Sequence, residues 1–231
     1  MPRWSNRSRR RSEGDLARYP PRLGNVGVVD ADLAGLLDAV EAAYHRHFGL
    51  TPARASVSFL GVQSITVLRF SEPEPQAGQA QPLTHYLSLG MCRYPMTDPS
   101  QLSADDHAAP RAELLISAVG RPDELWRRLA VLAAAPAVEG VVYEPGGRLQ
   151  LGEAIIAGSR CVGGVLVDGP LPPIACSGMA DIQVMRVLPA TSTELAWARV
   201  HGSAALIQRW TDHCTRLSDL LRDSVELSHD G

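Results

Sequence analysis

Residues 181–194, DIQVMRVLPATSTE, constrain the fold more than any other stretch of this chain. Ile182, Val184 and the run of Met, Val and Leu after them read as a strand over residues 181–188. Thr191 and Glu194 then stand at the Thr-x-x-Glu spacing that satisfies two orphan amides at a helix start. A strand and a helix this close need a sheet to pair the first and a face for the second to cover. Leu195, Trp197 and Val200 continue the helical reading.

The rest of the chain agrees with a mixed architecture. A first helix is predicted over residues 31–48, with Asp30 as its cap, Asp32 in its first turn, and Leu33, Leu36, Leu37, Val40 and Tyr44 as its buried stripe. Gly49 and Pro52 stop it. Strands are expected over 55–62, 65–70, 84–90 and 111–117, with a Pro/Gln/Gly loop at 71–83. A second helix starts at Pro122, ends before Pro136 and buries Leu125, Trp126, Leu129 and Leu132. Residues 149–156 and 161–167 are extended, and a last helix spans 203–221. No internal repeat is visible. The expected fold class is α+β: about seven strands in a mixed, mainly antiparallel sheet, with four packed helices.

The longest apolar run, 129–138, is about half of the roughly 18–20 residues a membrane span needs, and it contains Pro136. The 231 residues, 45% hydrophobic and 20% charged, suffice for a core without staples. Cys92, Cys161, Cys176 and Cys214 are too scattered for a Cys-x-x-Cys pair and read as reduced thiols, so a cytoplasmic protein is expected. The formal charge of −3 is unevenly placed. Residues 1–22 hold seven arginines against Glu13 and Asp15, a net +5, which leaves −8 for the remainder. Residues 1–22 are expected to be a disordered basic tail, 23–222 the domain, and 223–231 a flexible C-terminus.

Chemistry-bearing motifs are sparse. There is no Gly-x-Ser-x-Gly, phosphate-binding loop, His-Glu-x-x-His or dinucleotide-binding turn, so no cofactor and no metal are expected. Asp30 and Asp32 read as a helix start, and His45 and His47 as last-turn cations pointing some 200° apart. Asp105-Asp106-His107, in a long loop, offers an acid/base pair, the basis of an alternative reading as an enzyme or metal-dependent hydrolase. A second alternative is nucleic-acid binding through the arginine tail.

At THYLSLGMCRY, residues 84–94, the chain resembles the suppressor-of-fused domain family. The likeness continues in order through RAELLIS at 111–117, PDELWRRLAVLA at 122–133, GGRLQLGEAI at 146–155, SRCVGGVLVDGP at 159–170 and DIQVMRVLPATSTELAWARVHGSAALIQRW at 181–210. The resemblance implies a non-enzymatic interaction domain. Animal members have a further carboxy-terminal lobe and clamp a peptide of Gli-type transcription factors, which adds as a strand. Single-lobe bacterial relatives resemble immunity proteins that neutralise secreted toxins. The animal segment has an acidic residue soon after the strand's Gly; here Arg93 is basic and Asp98 displaced, so Gli binding is not implied.

The function expected from the resemblance is binding of a protein partner, a toxin or a regulatory protein, by an immunity-type or adaptor protein. No small-molecule substrate is expected. The partner-binding candidates are His85, Tyr86, Arg93, Tyr94, Asp105 and Asp106, beside the strand 84–90 and the loop 91–110. Tyr86 either presents its ring and polar tip to the partner or packs inward as core, and the sequence leaves both readings open.

Overall fold

The computed structural model describes residues 29–97, 108–176 and 178–227. The expected tail over 1–22, the loop positions Asp105 and Asp106, and residues 228–231 lie outside them. The described residues build one seven-stranded sheet. Its strands are β1 Ala53–Phe59, β2 Val62–Ser71, β3 Leu83–Leu89, β4 Arg111–Val119, β5 Arg148–Gln150, β6 Cys161–Asp168 and β7 Ile182–Thr191, in the spatial order β1-β2-β3-β4-β7-β6-β5. Neighbours are antiparallel except β4 and β7, which run parallel. The helices are α1 Val29–Phe48, α2 Glu124–Glu139, α3 Ser192–His201 and α4 Ser203–Asp212, with a 3₁₀ turn at Met91–Arg93. This is the mixed, mainly antiparallel α+β architecture expected from periodicity.

Alternation along the strands sorts the core onto two faces. Ile65, Val67, Tyr86, Leu114, Ile116, Met185 and Val187 meet Leu125, Leu129 and Ala133 of α2 on one face. Leu68, Phe70, Leu87, Leu115 and Val184 meet Leu36, Val40 and Tyr44 of α1 on the other. Farther along that second face, Val165 and Leu188 are covered by Leu195 of α3 and by Leu206 and Trp210 of α4. The α1 and α3–α4 blocks thus share one sheet face, and α2 has the other.

Element ends differ from expectation for local reasons. β1 stops at Phe59 because Leu60 and Gly61 make a tight hairpin, with Gly61 at φ +83°. α2 runs through Pro136 to a left-handed cap at Gly140. Pro136 has no N–H for the Leu132 carbonyl, and the Tyr143 hydroxyl donates to that carbonyl instead, at 2.9 Å. β5 contracts to three residues. α4 ends at Asp212 rather than near 221, and Cys214 takes φ +47°. From there the chain rounds the sheet end: the Ser218 carbonyl accepts from the Val119 amide at 2.8 Å, and Leu220 joins the α2-side core. A continuous helix could not reach that face. Trp126 is half-buried rather than central, with the Arg69 guanidinium 4.9 Å above its ring.

Candidate interaction site

The period of two in β3 separates the residues that the sequence placed together. Tyr86 points to α2, where its ring is fully buried and lies edge-on to Trp126 at 5.9 Å. Its hydroxyl donates to the Pro122 carbonyl at 3.1 Å. Burial is the main cause that pushes this phenol up to about 12. Tyr86 is therefore a core anchor between β3 and the start of α2, the inward one of the two readings the sequence left open.

His85 points to the opposite face. Its Nδ1 lies 2.9 Å from the Ser117 hydroxyl, its Nε2 3.5 Å from Glu72, and its ring 4.9 Å from Phe48 at the end of α1. Burial holds the imidazole below its ordinary value; Glu72 opposes this, and the charges of Arg186 and His47 add to it. Arg186 reaches the same face from β7, where its backbone pairs with Leu115.

Arg93 and Tyr94 lie at the end of the sheet. Arg93 donates to the Ser64 carbonyl at 3.0 Å, and the Tyr94 hydroxyl accepts from the Gln63 amide at 2.8 Å. A fully buried carboxylate holds this turn from within. Glu113 of β4 accepts from the Gly90 amide at 2.7 Å, the Cys92 amide at 3.1 Å and the Ser88 hydroxyl. Arg111 donates to the carbonyls of Cys92 and Arg93 at 2.8 and 3.0 Å. Gly90 sits at φ +123°, and a Cβ there would come within 2.7 Å of the Arg93 guanidinium.

His85 and Tyr86 thus face opposite ways, Arg93 and Tyr94 brace the following turn, and Asp105 and Asp106 lie outside the described residues. Both edges of β3 are paired, with β2 and β4, so a partner strand cannot add to it. The sheet edges left for that mode are β1 and β5. The sequence reading overlooked Glu113 and Arg186. Each is the only charge within an otherwise uncharged strand run, 112–117 or 182–191, which is the signal that finds both.

Beside Arg186, a cleft of about 720 Å³ opens between β6–β7 and α4. Leu188, Ile207, Trp210 and Leu217 supply its apolar lining, and Asp168 is exposed within its border. Among the described residues no group of three or more His, Cys, Asp or Glu is placed to hold a metal ion. Nor is any helix among them long and apolar enough to cross a membrane.

Solved structures share this fold at low identity. A suppressor of fused homolog from Neisseria gonorrhoeae is 14% identical, with a TM-score of 0.61 over 85% of this chain and 100% of its own. The Sufu–Fu complex aligns at 12% identity and a TM-score of 0.58, over 86% of this chain and 91% of that one. Drosophila Suppressor of Fused gives 10% and 0.52, and the match spans 50% of its length. A comparison with curated proteins gives no match. Residues 61–223 match the suppressor of fused protein (SUFU) family over most of the chain, from β2 to past α4, and the chain belongs to that family.

Proposed function

We propose that this SUFU-family chain is a non-enzymatic protein-interaction domain that binds and neutralises or regulates a protein partner, as a bacterial immunity-type or adaptor protein does. The observation that carries the reading is the family match over residues 61–223. One structure of the same fold was solved as a complex of Sufu with Fu, which supports a protein as the ligand class. The partner meets the α1-side sheet face near His85 and the turn that Arg93 and Tyr94 brace, and Asp105 and Asp106 contribute to the contact. Tyr86 serves this surface from beneath, by fixing β3 against α2.

A crosslinking pull-down from the native cell, followed by mass spectrometry, tests the reading. One protein recovered in stoichiometric amount, and lost when His85, Arg93 and Tyr94 are replaced together in a folded variant, is the expected result. Recovery of no stoichiometric protein would count decisively against it. A neighbouring gene that encodes a secreted toxin would favour immunity over adaptor.

A further inference from the structure

Arg186 is the one charge in the β7 run, and among the described residues its guanidinium has no hydrogen-bond or ion-pair partner. The side chain is half-buried, and its buried Nε has no hydrogen-bond partner. No carboxylate among the described residues lies at ion-pair distance from it; the nearest in the cleft lining is the exposed Asp168. The Nε atoms of Arg111 and Arg222 are unpartnered too, but their terminal nitrogens, unlike those of Arg186, find partners among the described residues. Arg222 donates to both oxygens of Glu194, and Arg111 donates to two carbonyls. Burying a cation without a partner costs stability, and burial does lower the Arg186 pKa. A guanidinium is the side chain best shaped to grip a carboxylate through two parallel bonds.

The surroundings define what would bring that carboxylate. Leu188, Ile207, Trp210 and Leu217 give the cleft an apolar wall, which suits aliphatic side chains on either side of an acid. The volume of about 720 Å³ lies within the range of a ligand pocket and holds a few residues of a partner chain. The formal charge of −3 works against long-range attraction of an acid, so recognition falls to short-range contact inside the cleft.

We infer that the cleft between α4 and β6–β7 is a docking site for an acidic partner segment, an Asp or Glu flanked by aliphatic residues, whose carboxylate pairs with Arg186. The inference rests on the proposed protein-interaction role and names the chemistry of the partner. Asp168 serves as a discriminating rim charge that repels segments with a second acid.

The test titrates the full chain with acetylated, amidated Leu-Glu-Leu and with Leu-Gln-Leu. Nitrogen-15 spectra follow the Arg186 Nε–H signal, assigned by its absence in Arg186→Gln. Leu-Glu-Leu should shift it saturably, and Leu-Gln-Leu should bind about tenfold or more weakly, the scale of one charge-assisted hydrogen bond. Arg186→Gln should lose the binding while melting no lower than the wild type, because it removes an unpartnered buried charge. Asp168→Asn should tighten it. Equal shifts from the two peptides, or none up to about 10 mM, would overturn the inference. So would acetate matching Leu-Glu-Leu in affinity, since the apolar wall would then contribute nothing. A native partner captured equally by the wild type and Arg186→Gln sinks the cleft alone; failure of the wild type to capture any partner sinks the interaction role.

Discussion

Glu194 shows how one carboxylate ties separate parts of the chain together. It closes the capping box of α3, accepting from the Thr191 amide at 2.8 Å while its own amide donates to the Thr191 hydroxyl at 3.2 Å. The same carboxylate accepts from Trp210 of α4 at 3.0 Å, from the Val225 amide at 2.9 Å, and from Arg222 at 2.7 and 2.9 Å. Burial pushes this carboxyl up, but the hydrogen bonds, led by Arg222, outweigh burial and hold it below its ordinary 4.5. A depressed folded pKa contributes stability that is full above the unfolded value and lost as pH falls through the folded one. Glu194→Gln leaves Arg222 buried without its counter-charge and should cost about 3–5 kcal/mol at neutral pH. Denaturant titrations from pH 7 to 3 should show the deficit shrinking below pH 4.5, where the unfolded wild-type carboxyl takes up its proton before the folded one does. A deficit constant across that range would mean that the charge contributes nothing and only the amide geometry matters.

Among the elements, α2 is where local rules and tertiary structure disagree most usefully. The sequence reading stops the helix before Pro136, since proline leaves a carbonyl without a donor. The helix continues because Tyr143, seven residues later, folds back to the orphaned Leu132 carbonyl. No local pattern announces a hydroxyl arriving from the following loop. Tyr143→Phe should therefore cost about 1–3 kcal/mol, the range for stranding a buried acceptor, and Pro136→Ala in that background should recover much of it by restoring the amide. Chemical denaturation of the two variants measures both. If Pro136→Ala recovers nothing, the phenol holds the loop and not the helix. The same contrast separates what was legible from what was not. Period and caps place most strands, α1, α3 and the start of α4, because those signals are local. The separation of His85 from Tyr86 was also available in the period of two. The end of α4 depends on Leu220 being needed on the far face, and the role of Glu113 depends on a turn brought from β3; neither contact is written in nearby residues.

At the scale of the whole molecule, the stretch that constrains the sequence most also binds the core together. β7 gives Ile182 and Val184 to the cluster under α1, Met185 and Val187 to the one under α2, and Leu188 and Ala190 to the one under α3 and α4. It is also the strand at which the sheet's single parallel pair, β4–β7, meets the antiparallel β6. No cluster can lose its packing without disturbing a strand that the other two share, so the described body should unfold as one unit. Leu206, fully buried on the inner side of α4, tests this from one end. Leu206→Ala should cost about 2–5 kcal/mol. The same loss should appear in two distant readouts: the fluorine-19 signal of a fluorotryptophan label at Trp210 and the hydrogen-exchange protection of the β3 amides at the other side of β7. Were the tryptophan signal to melt early while β3 kept its protection, the α3–α4 block would be a separate unit. The cleft beside Arg186 would then lie on a movable seam instead of a rigid wall.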